Sequence, residues 1–182
     1  MSQRLTIVSK SGSGGSLFQA TSGNINGSRF GFRGAEDLGA GLKAIFVLEN
    51  GFNIQSGKLG QDGREFGRQA YVGLASSQYG AITLGRQYDS LVDFVAPLSG
   101  TAGTFGDTGF AHPFDNDNLN HSVRMSNAVK YMSTDYAGFK FGTLYAFSNS
   151  TNFSAFSQIS FFVSRFFFLS SSLSSKYILL LL

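Results

Sequence analysis

Few residues of this chain are of the types that carry out catalysis or hold metals, and their spacing assembles no recognisable site. The chain has no cysteine and two histidines, His112 and His121, which lie nine residues apart in a polar stretch. That spacing matches none of the zinc-binding patterns. There is no G-x-S-x-G nucleophile elbow and no P-loop, and the GSGGS segment at 12–16 lacks the strand-to-helix context that phosphate binding requires. The sequence therefore predicts no enzyme, no cofactor and no metal site.

The charged residues are few and dispersed along the chain. They make up 14% of the sequence, against roughly 25% in typical soluble domains. The net charge is +3, but lysine and arginine form no run. The clustered basic patch that marks nucleic-acid-binding proteins is therefore missing, and nucleic acid is not a predicted partner. The role of each charged residue must therefore be inferred from the position that its strand or loop gives it.

Those elements are predicted to be β-strands. Glycine and phenylalanine are unusually common, at 23 and 20 residues, which suits β structure with aromatic side chains on one side and tight bends at glycines. Phe30 and Phe32 alternate with Arg29 and Arg33, the period of two expected of a strand. Alternation or turn spacing predicts further strands near 42–49, 64–76, 80–87, 127–135 and 139–148. The predicted fold class is all-β and antiparallel.

The connections between the predicted strands alternate in length. Short turns are predicted at Asp37–Gly41, Ser77–Tyr79 and Ala137–Gly138, and longer loops at Gln55–Gly63 and at about 88–126. Short turns at one rim and long loops at the other are typical of an outer-membrane β-barrel. A soluble sandwich that buries its phenylalanine face is the alternative, and the pattern alone leaves both open. No apolar run reaches the roughly 18 residues of a membrane-spanning helix, so a membrane could be crossed only by strands.

Three zones are predicted along the chain. Residues 1–27 are rich in glycine and serine and are predicted to hold at most one short strand, near Ser16–Thr21. Residues 28–150 form the block of strands and turns. Residues 151–182 are rich in serine, phenylalanine and leucine and lack the turn residues seen before them. We interpret this tail as aberrant, the product of a shifted reading frame or a damaged gene end, and predict no fold for it.

Four segments carry a resemblance to a known family. They are SRFGFRGAEDLGAGLKAIFVLENGFN (28–53), FGRQAYVGLASSQYGAITLGRQYD (66–89), TFGDTGFAHP within the long loop, and NAVKYMSTDYAGFKFGTLYAFSNS (127–150). They resemble the general trimeric porins of Gram-negative outer membranes, in the betaproteobacterial branch, and the resemblance extends over about two-thirds of the chain. The resemblance implies a transmembrane β-barrel in outer-membrane lipid, assembled as a homotrimer. Ions and small hydrophilic solutes would diffuse passively through each water-filled pore, which the third loop narrows by folding inward.

The same resemblance implies a set of pore-constriction residues. Arginines on the barrel wall would face acidic groups across the narrowest point, and their transverse field would screen solutes by charge and dipole. The basic candidates are Arg29, Arg68, Arg86 and Arg124. The acidic candidates are Asp107, Asp93 and Glu49, and the long loop also offers Asp89, Asp115 and Asp117. Each could instead be a solvated or cross-strand-paired residue, and the loop acids could form Asx turns.

The number of predicted strands is small for such a barrel. A water-filled channel needs roughly 16–18 strands, and six or seven are predicted here, so we expect this chain to be an incomplete, truncated porin. The alternative function is a non-transporting β-rich surface or binding module. A pore requires Arg29 and Arg68 to point into a shared lumen opposite Asp107, whereas a binding module requires no such convergence.

Overall fold

The computed structural model describes residues 3–8, 17–23, 27–94, 123–148, 158–163, 166–169 and 179–181. The elements, in chain order, are β1 (Gln3–Val8), β2 (Leu17–Ser22), β3 (Arg29–Gly39), β4 (Leu42–Gly51), β5 (Gln69–Ser76), β6 (Gly80–Gln87), the short helix α1 (Ser90–Phe94), β7 (Met125–Met132), β8 (Phe141–Ala146), β9 (Gln158–Val163), β10 (Phe166–Leu169) and β11 (Leu179–Leu181). No helix in these ranges is long and apolar enough to cross a membrane.

Every strand pairs antiparallel with at least one neighbour in sequence. β1 and β2 form a two-stranded hairpin, and β3 to β11 form one nine-stranded sheet in chain order. The predicted antiparallel all-β fold is thereby confirmed. The prediction of at most one strand within residues 1–27 is wrong, because β1 and β2 pair along six positions on either side of the glycine-rich stretch. In the tail, for which no fold was predicted, the backbone of β9 pairs with β8 and continues the sheet.

The two faces of the sheet differ in chemistry. The strand registers place Phe32, Phe46, Val72 and Leu84 on one side, which we call the outer face. These four side chains are 61, 40, 59 and 51% exposed, respectively. The period of two predicted from sequence is therefore present, and its apolar side is not buried as it would be in a soluble sandwich.

The opposite side, which we call the inner face, carries Glu49, Thr83, Lys130 and Leu144, linked by the registers of β4 to β8. Thr83, Lys130 and Leu144 are buried, and Leu144 is only 1% exposed. The cover comes from the chain that leaves β6. The ring of Phe94 in α1 packs directly against Gly142 of β8, where any side chain would collide with it.

This covering segment is the beginning of the long loop that the sequence predicted. It folds back over the inner face, and the lysine of β7 binds it there, because Lys130 Nζ donates to the carbonyl oxygen of Tyr88 at 3.0 Å. The continuation of the loop through 95–122 lies outside the described residues. The shorter connection between β4 and β5, at 52–68, lies at the same end of the sheet as the start of this loop, because β4 and β6 both end there.

Glycine is required where β6 bends. A register shift between Gly85 and Gln87 breaks the pairing of β6 with β7. Gly85 has φ +131°, and a Cβ atom there would lie 2.2 Å from the carbonyl oxygen of Ala70. The residue is thus constrained both by its backbone conformation and by the neighbouring strand.

We predict that Gly85→Ala lowers the free energy of unfolding by about 1–3 kcal/mol, because backbone strain and steric overlap add. Gly39→Ala should cost less, since Gly39 has φ +87° but no atom within 4 Å of its added Cβ. Gly27→Ala, which makes only an ordinary 3.8 Å contact, is the neutral control. Urea unfolding of the 182-residue chain in detergent micelles measures all three. Equal stabilities for the three variants would contradict this account.

Candidate functional site

One carboxylate on the inner face gathers the charged groups at the end of β4. Glu49 Oε1 accepts from Arg68 Nε at 3.0 Å and lies 3.5 Å from Arg29 Nε. Glu49 Oε2 accepts from Gln69 Nε2 at 2.9 Å. The register explains the convergence, because Glu49 faces Gly31 on β3 and Gln69 on β5. Gly31 has no side chain, so Arg29 can reach the carboxylate diagonally from two residues along the strand.

A tyrosine hydroxyl joins two of the arginines beside this carboxylate. Tyr88 Oη accepts from Arg68 Nη2 at 2.8 Å and from Arg124 Nη2 at 2.6 Å. The Arg124 guanidinium also lies over the Tyr88 ring, with Cζ 4.6 Å from the ring centroid, a favourable cation–π geometry. Tyr88 is buried at the start of the long loop. It therefore fixes residues from both ends of that loop against the wall.

Arg86 is placed apart from this group. Its register partner on β5 is Ala70, which puts its backbone position on the outer-face side. Its guanidinium reaches the strand ends, where Nε donates to Gly67 O at 2.7 Å and Nη1 donates to Ser126 Oγ at 2.7 Å. Arg86 thus ties the chain before β5 to the start of β7, and it has no described contact with Glu49.

Among the acidic candidates, Glu49 lies with the arginines, whereas Asp93 and Asp89 make their described contacts elsewhere. Asp93 Oδ2 accepts from Lys130 Nζ at 2.5 Å, which pairs helix α1 with β7. Asp89 Oδ1 accepts from the backbone N–H of Val92 at 3.1 Å and so caps the first turn of α1. Asp107, Asp115 and Asp117 lie outside the described residues.

Three inner-face residues were missed as site residues by sequence reasoning. Lys130 is 6% exposed and makes both contacts with the covering segment. Its signal was present, since a lysine between Val129 and Tyr131 interrupts an apolar strand. Gln87 is fully buried, and its Oε1 accepts from Thr83 Oγ1 at 2.6 Å. Nothing in the local sequence distinguishes Gln87 and Thr83 from ordinary strand positions.

The assembled site is electrostatic in character. Arg29 and Arg68 lie against the one carboxylate of Glu49, so these three side chains together carry an excess of positive charge, and Arg124 is joined to Arg68 through the Tyr88 hydroxyl. Among the described residues no group of three or more histidine, cysteine, aspartate or glutamate side chains is placed to hold a metal ion. Fixed guanidinium groups on a wall can bind anions and orient the dipoles of passing solutes and water.

Comparison with known proteins identifies the family. A family model described as Gram-negative porin matches residues 2–160. An outer membrane porin protein of Bordetella pertussis is 42% identical over 133 residues, which cover 73% of this chain and 34% of that protein. Outer membrane porin protein 32 of Delftia acidovorans is 30% identical over 148 residues, covering 79% of this chain and 41% of that protein.

The structure is also similar to a solved one, the anion-selective porin from Comamonas acidovorans. The TM-score is 0.65 at 26% sequence identity, and the match covers 88% of this chain and 50% of that one. The chain thus spans between a third and a half of the length of these relatives. The all-β sheet corresponds to part of a transmembrane barrel. Because the family model matches well over half of the sequence, this chain belongs to the Gram-negative porin family.

Proposed function

We propose that this chain forms part of the wall of a water-filled channel through which ions and small hydrophilic solutes diffuse passively across the outer membrane. The observation that carries the proposal is the inverted sheet, whose apolar outer face is exposed while its charged residues converge on the inner face. Passage through such a channel needs no chemical step, so the protein acts as a channel and not as an enzyme. Its location is the outer membrane, in contact with lipid.

The two faces fit two different surroundings. Phe32, Val72 and Leu84 are at least half exposed, and lipid chains solvate such a surface at no cost, whereas water does not. Arginine or lysine on the lipid side of a barrel costs about 2–4 kcal/mol at the bilayer midplane. The energetics therefore favour the orientation in which Arg29, Arg68 and Lys130 face water inside the barrel.

The inner-face cluster would act as the charge filter. Arg29 and Arg68 both lie against Glu49, whose single negative charge offsets only one of their two positive charges. A passing anion is attracted to this cluster and a cation is repelled. We therefore propose a preference for anions, which the similarity to an anion-selective porin supports. Arg86 is given a structural role at the strand ends, and Asp93 a role in holding the loop.

A homotrimer is proposed from membership of the porin family and from the resemblance of the four sequence segments to trimeric porins. Cross-linking of intact outer membranes tests it by the size of the product. The alternative, a non-transporting surface or binding module, has no specific observation in its favour. It would not require Arg29 and Arg68 to converge on one carboxylate of the inner face.

Selectivity gives the direct test of the charge filter. Removing one unit charge at roughly 8 Å from an ion in water changes its energy by about 0.5 kcal/mol, a factor of about two in permeability. Because the anion and the cation shift in opposite directions, we predict that Arg68→Gln lowers the anion-to-cation permeability ratio about fourfold and that Glu49→Gln raises it by a similar factor. The measurement is the reversal potential across planar bilayers under a KCl gradient.

The matched control for these variants is Lys140→Gln. Lys140 carries the same charge but lies near the short-turn end, in an exposed pair with Asp135 at 3.5 Å. Its reversal potential should equal that of the wild type. Identical reversal potentials for Arg68→Gln, Glu49→Gln and the wild type would show that the inner-face cluster does not determine the ion selectivity.

The attachment of the loop to the wall gives a separate prediction. Lys130 and Asp93 form a largely buried pair, so a double-mutant cycle with Lys130→Met and Asp93→Asn should give a coupling energy of about 1–3 kcal/mol. The same cycle on the exposed Lys140–Asp135 pair should give less than about 1 kcal/mol. Urea unfolding in detergent micelles provides the free energies. A coupling no larger than that of the exposed pair would show that the contact does not hold the loop.

A further inference from the structure

The strand β3 forms one edge of the nine-stranded sheet. It has 11 residues, and among the residues that the structure describes it pairs with β4 alone. The carbonyl oxygen of Ser28, just before β3, accepts from the backbone N–H of Phe52 and so faces β4. Because backbone groups alternate along a strand, the N–H and C=O groups of every second residue of β3 point to the free edge. These residues are Arg29, Gly31, Arg33, Ala35 and Asp37.

This edge is open to another strand along most of its length. The sequence of β3, RFGFRGAEDLG, contains no proline, and its register with β4 is regular from Arg29 to Asp37. Prolines and bulges are two of the devices that keep the free edges of natural sheets from pairing. Within a bilayer, unpaired backbone groups of a strand have no water to bind. An edge that lies at membrane depth therefore requires a strand beside it.

The direction of that strand is fixed. β3 runs from the long-loop end to the short turn before β4, and its antiparallel partner must run the other way. Barrels in the outer membrane keep their short turns at one rim and their long loops at the other. A second copy in the same barrel is therefore related by rotation about the barrel axis, which would make β3 parallel to β3 of the other copy. At the far edge of the sheet, β10 runs in the required direction, whereas β9 and β11 run as β3 does.

The number of strands leads to the same pairing. The sheet has eight strands from β3 to β10, so two copies supply 16, an even number within the roughly 16–18 that a water-filled channel needs. Only β11 has to leave its place, and it pairs with β10 at no more than three positions. The match to the anion-selective porin covers 50% of that chain. Two copies of the present chain thus supply about the length of one such porin.

We propose that this chain closes its pore with a second copy of itself. The free edge of β3 in each copy pairs antiparallel with β10 of the other, around a two-fold axis along the pore. The idea rests on the proposed function, because only a wall that lies in lipid has to be closed. Each copy then contributes one Glu49 with its arginines to the same lumen. A homotrimer of such pores contains six chains.

Disulfide trapping tests the pairing, because the chain has no cysteine of its own. One substitution is Phe168→Cys in β10, whose backbone position is in register with Thr143 on the outer face through Phe161. The other substitution places a cysteine in turn at each outer-face position in the regular part of β3, namely Phe30, Phe32, Gly34 and Glu36. On oxidation in isolated outer membranes, we expect at least one of these double variants to give disulfide-linked pairs of chains, since facing positions of paired strands lie within disulfide reach.

Val72→Cys combined with Phe168→Cys is the matched control. Val72 lies on the same outer face and is 59% exposed, but both edges of its strand are already paired. This variant should give no more linked pairs than the single-cysteine variants do. Linked pairs from Phe32→Cys alone, or none from any of the double variants, would overturn the proposal.

A proline in β3 tests the same edge without cysteines. Ala35→Pro removes an N–H that points to the free edge and spares the hydrogen bonds to β4. Sedimentation in density-matched detergent should show two chains per particle, or a multiple of two, for the wild type and for the control Ala35→Ser. Association should be about tenfold weaker in Ala35→Pro, as expected for one lost buried hydrogen bond. One or three chains per wild-type particle contradicts the closure.

Bilayer currents recorded on the same samples separate this proposal from the proposed function. Linked pairs of chains that carry no current would leave the closure standing and refute the channel. Current from particles that contain one chain per pore would refute the closure and leave the channel standing.

Discussion

The sheet has an apolar face suited to lipid and a charged face suited to water. This constraint determines where each charged group can lie. Side chains alternate along each strand, so a polar residue that is displaced by one position would enter the apolar side. The inner face must then accommodate arginine, lysine and glutamate close together. It does so by pairing them with one another and with the chain that leaves β6, through Glu49 and through both the hydroxyl and the carbonyl of Tyr88.

That arrangement holds the arginines of the inner face in two ways. Near Glu49 two guanidinium groups share one carboxylate. At Tyr88 the Arg124 guanidinium lies over the aromatic ring and donates to the hydroxyl, which also accepts from Arg68. Three arginines are thus held in fixed positions on one wall, by an acidic side chain and by an aromatic one.

Much of the fold could be predicted from the sequence, because alternation and turn residues act locally. Phe30 and Phe32 against Arg29 marked the two faces, and Gly41 and Gly138 marked turns. The family resemblance and strand parity predicted Arg29, Arg68 and Glu49 as separate pore candidates, but not that Glu49 pairs with both arginines on the same wall. Lys130 was missed because its importance comes from a segment some 40 residues distant that folds over it. Gln87 was missed because its partners are Thr83 on its own strand and the carbonyl oxygen of Ala128, 41 residues away. Arg86 was grouped with the other arginines from the family resemblance, whereas its register with Ala70 puts its backbone position on the outer-face side with Leu84. The hairpin of β1 and β2 was missed because a glycine-rich stretch separates its strands.

Tyr88 contributes two atoms to the inner wall, and they belong to different parts of the residue. Its hydroxyl holds Arg68 and Arg124, while its backbone carbonyl holds Lys130. The position of the chain that covers the inner face and the layout of the fixed cations are thus mechanically coupled through a single side chain and its own peptide unit. Cover and charge cannot vary independently in such a wall, so a substitution that shifts the covering segment also rearranges the electric field at the inner face.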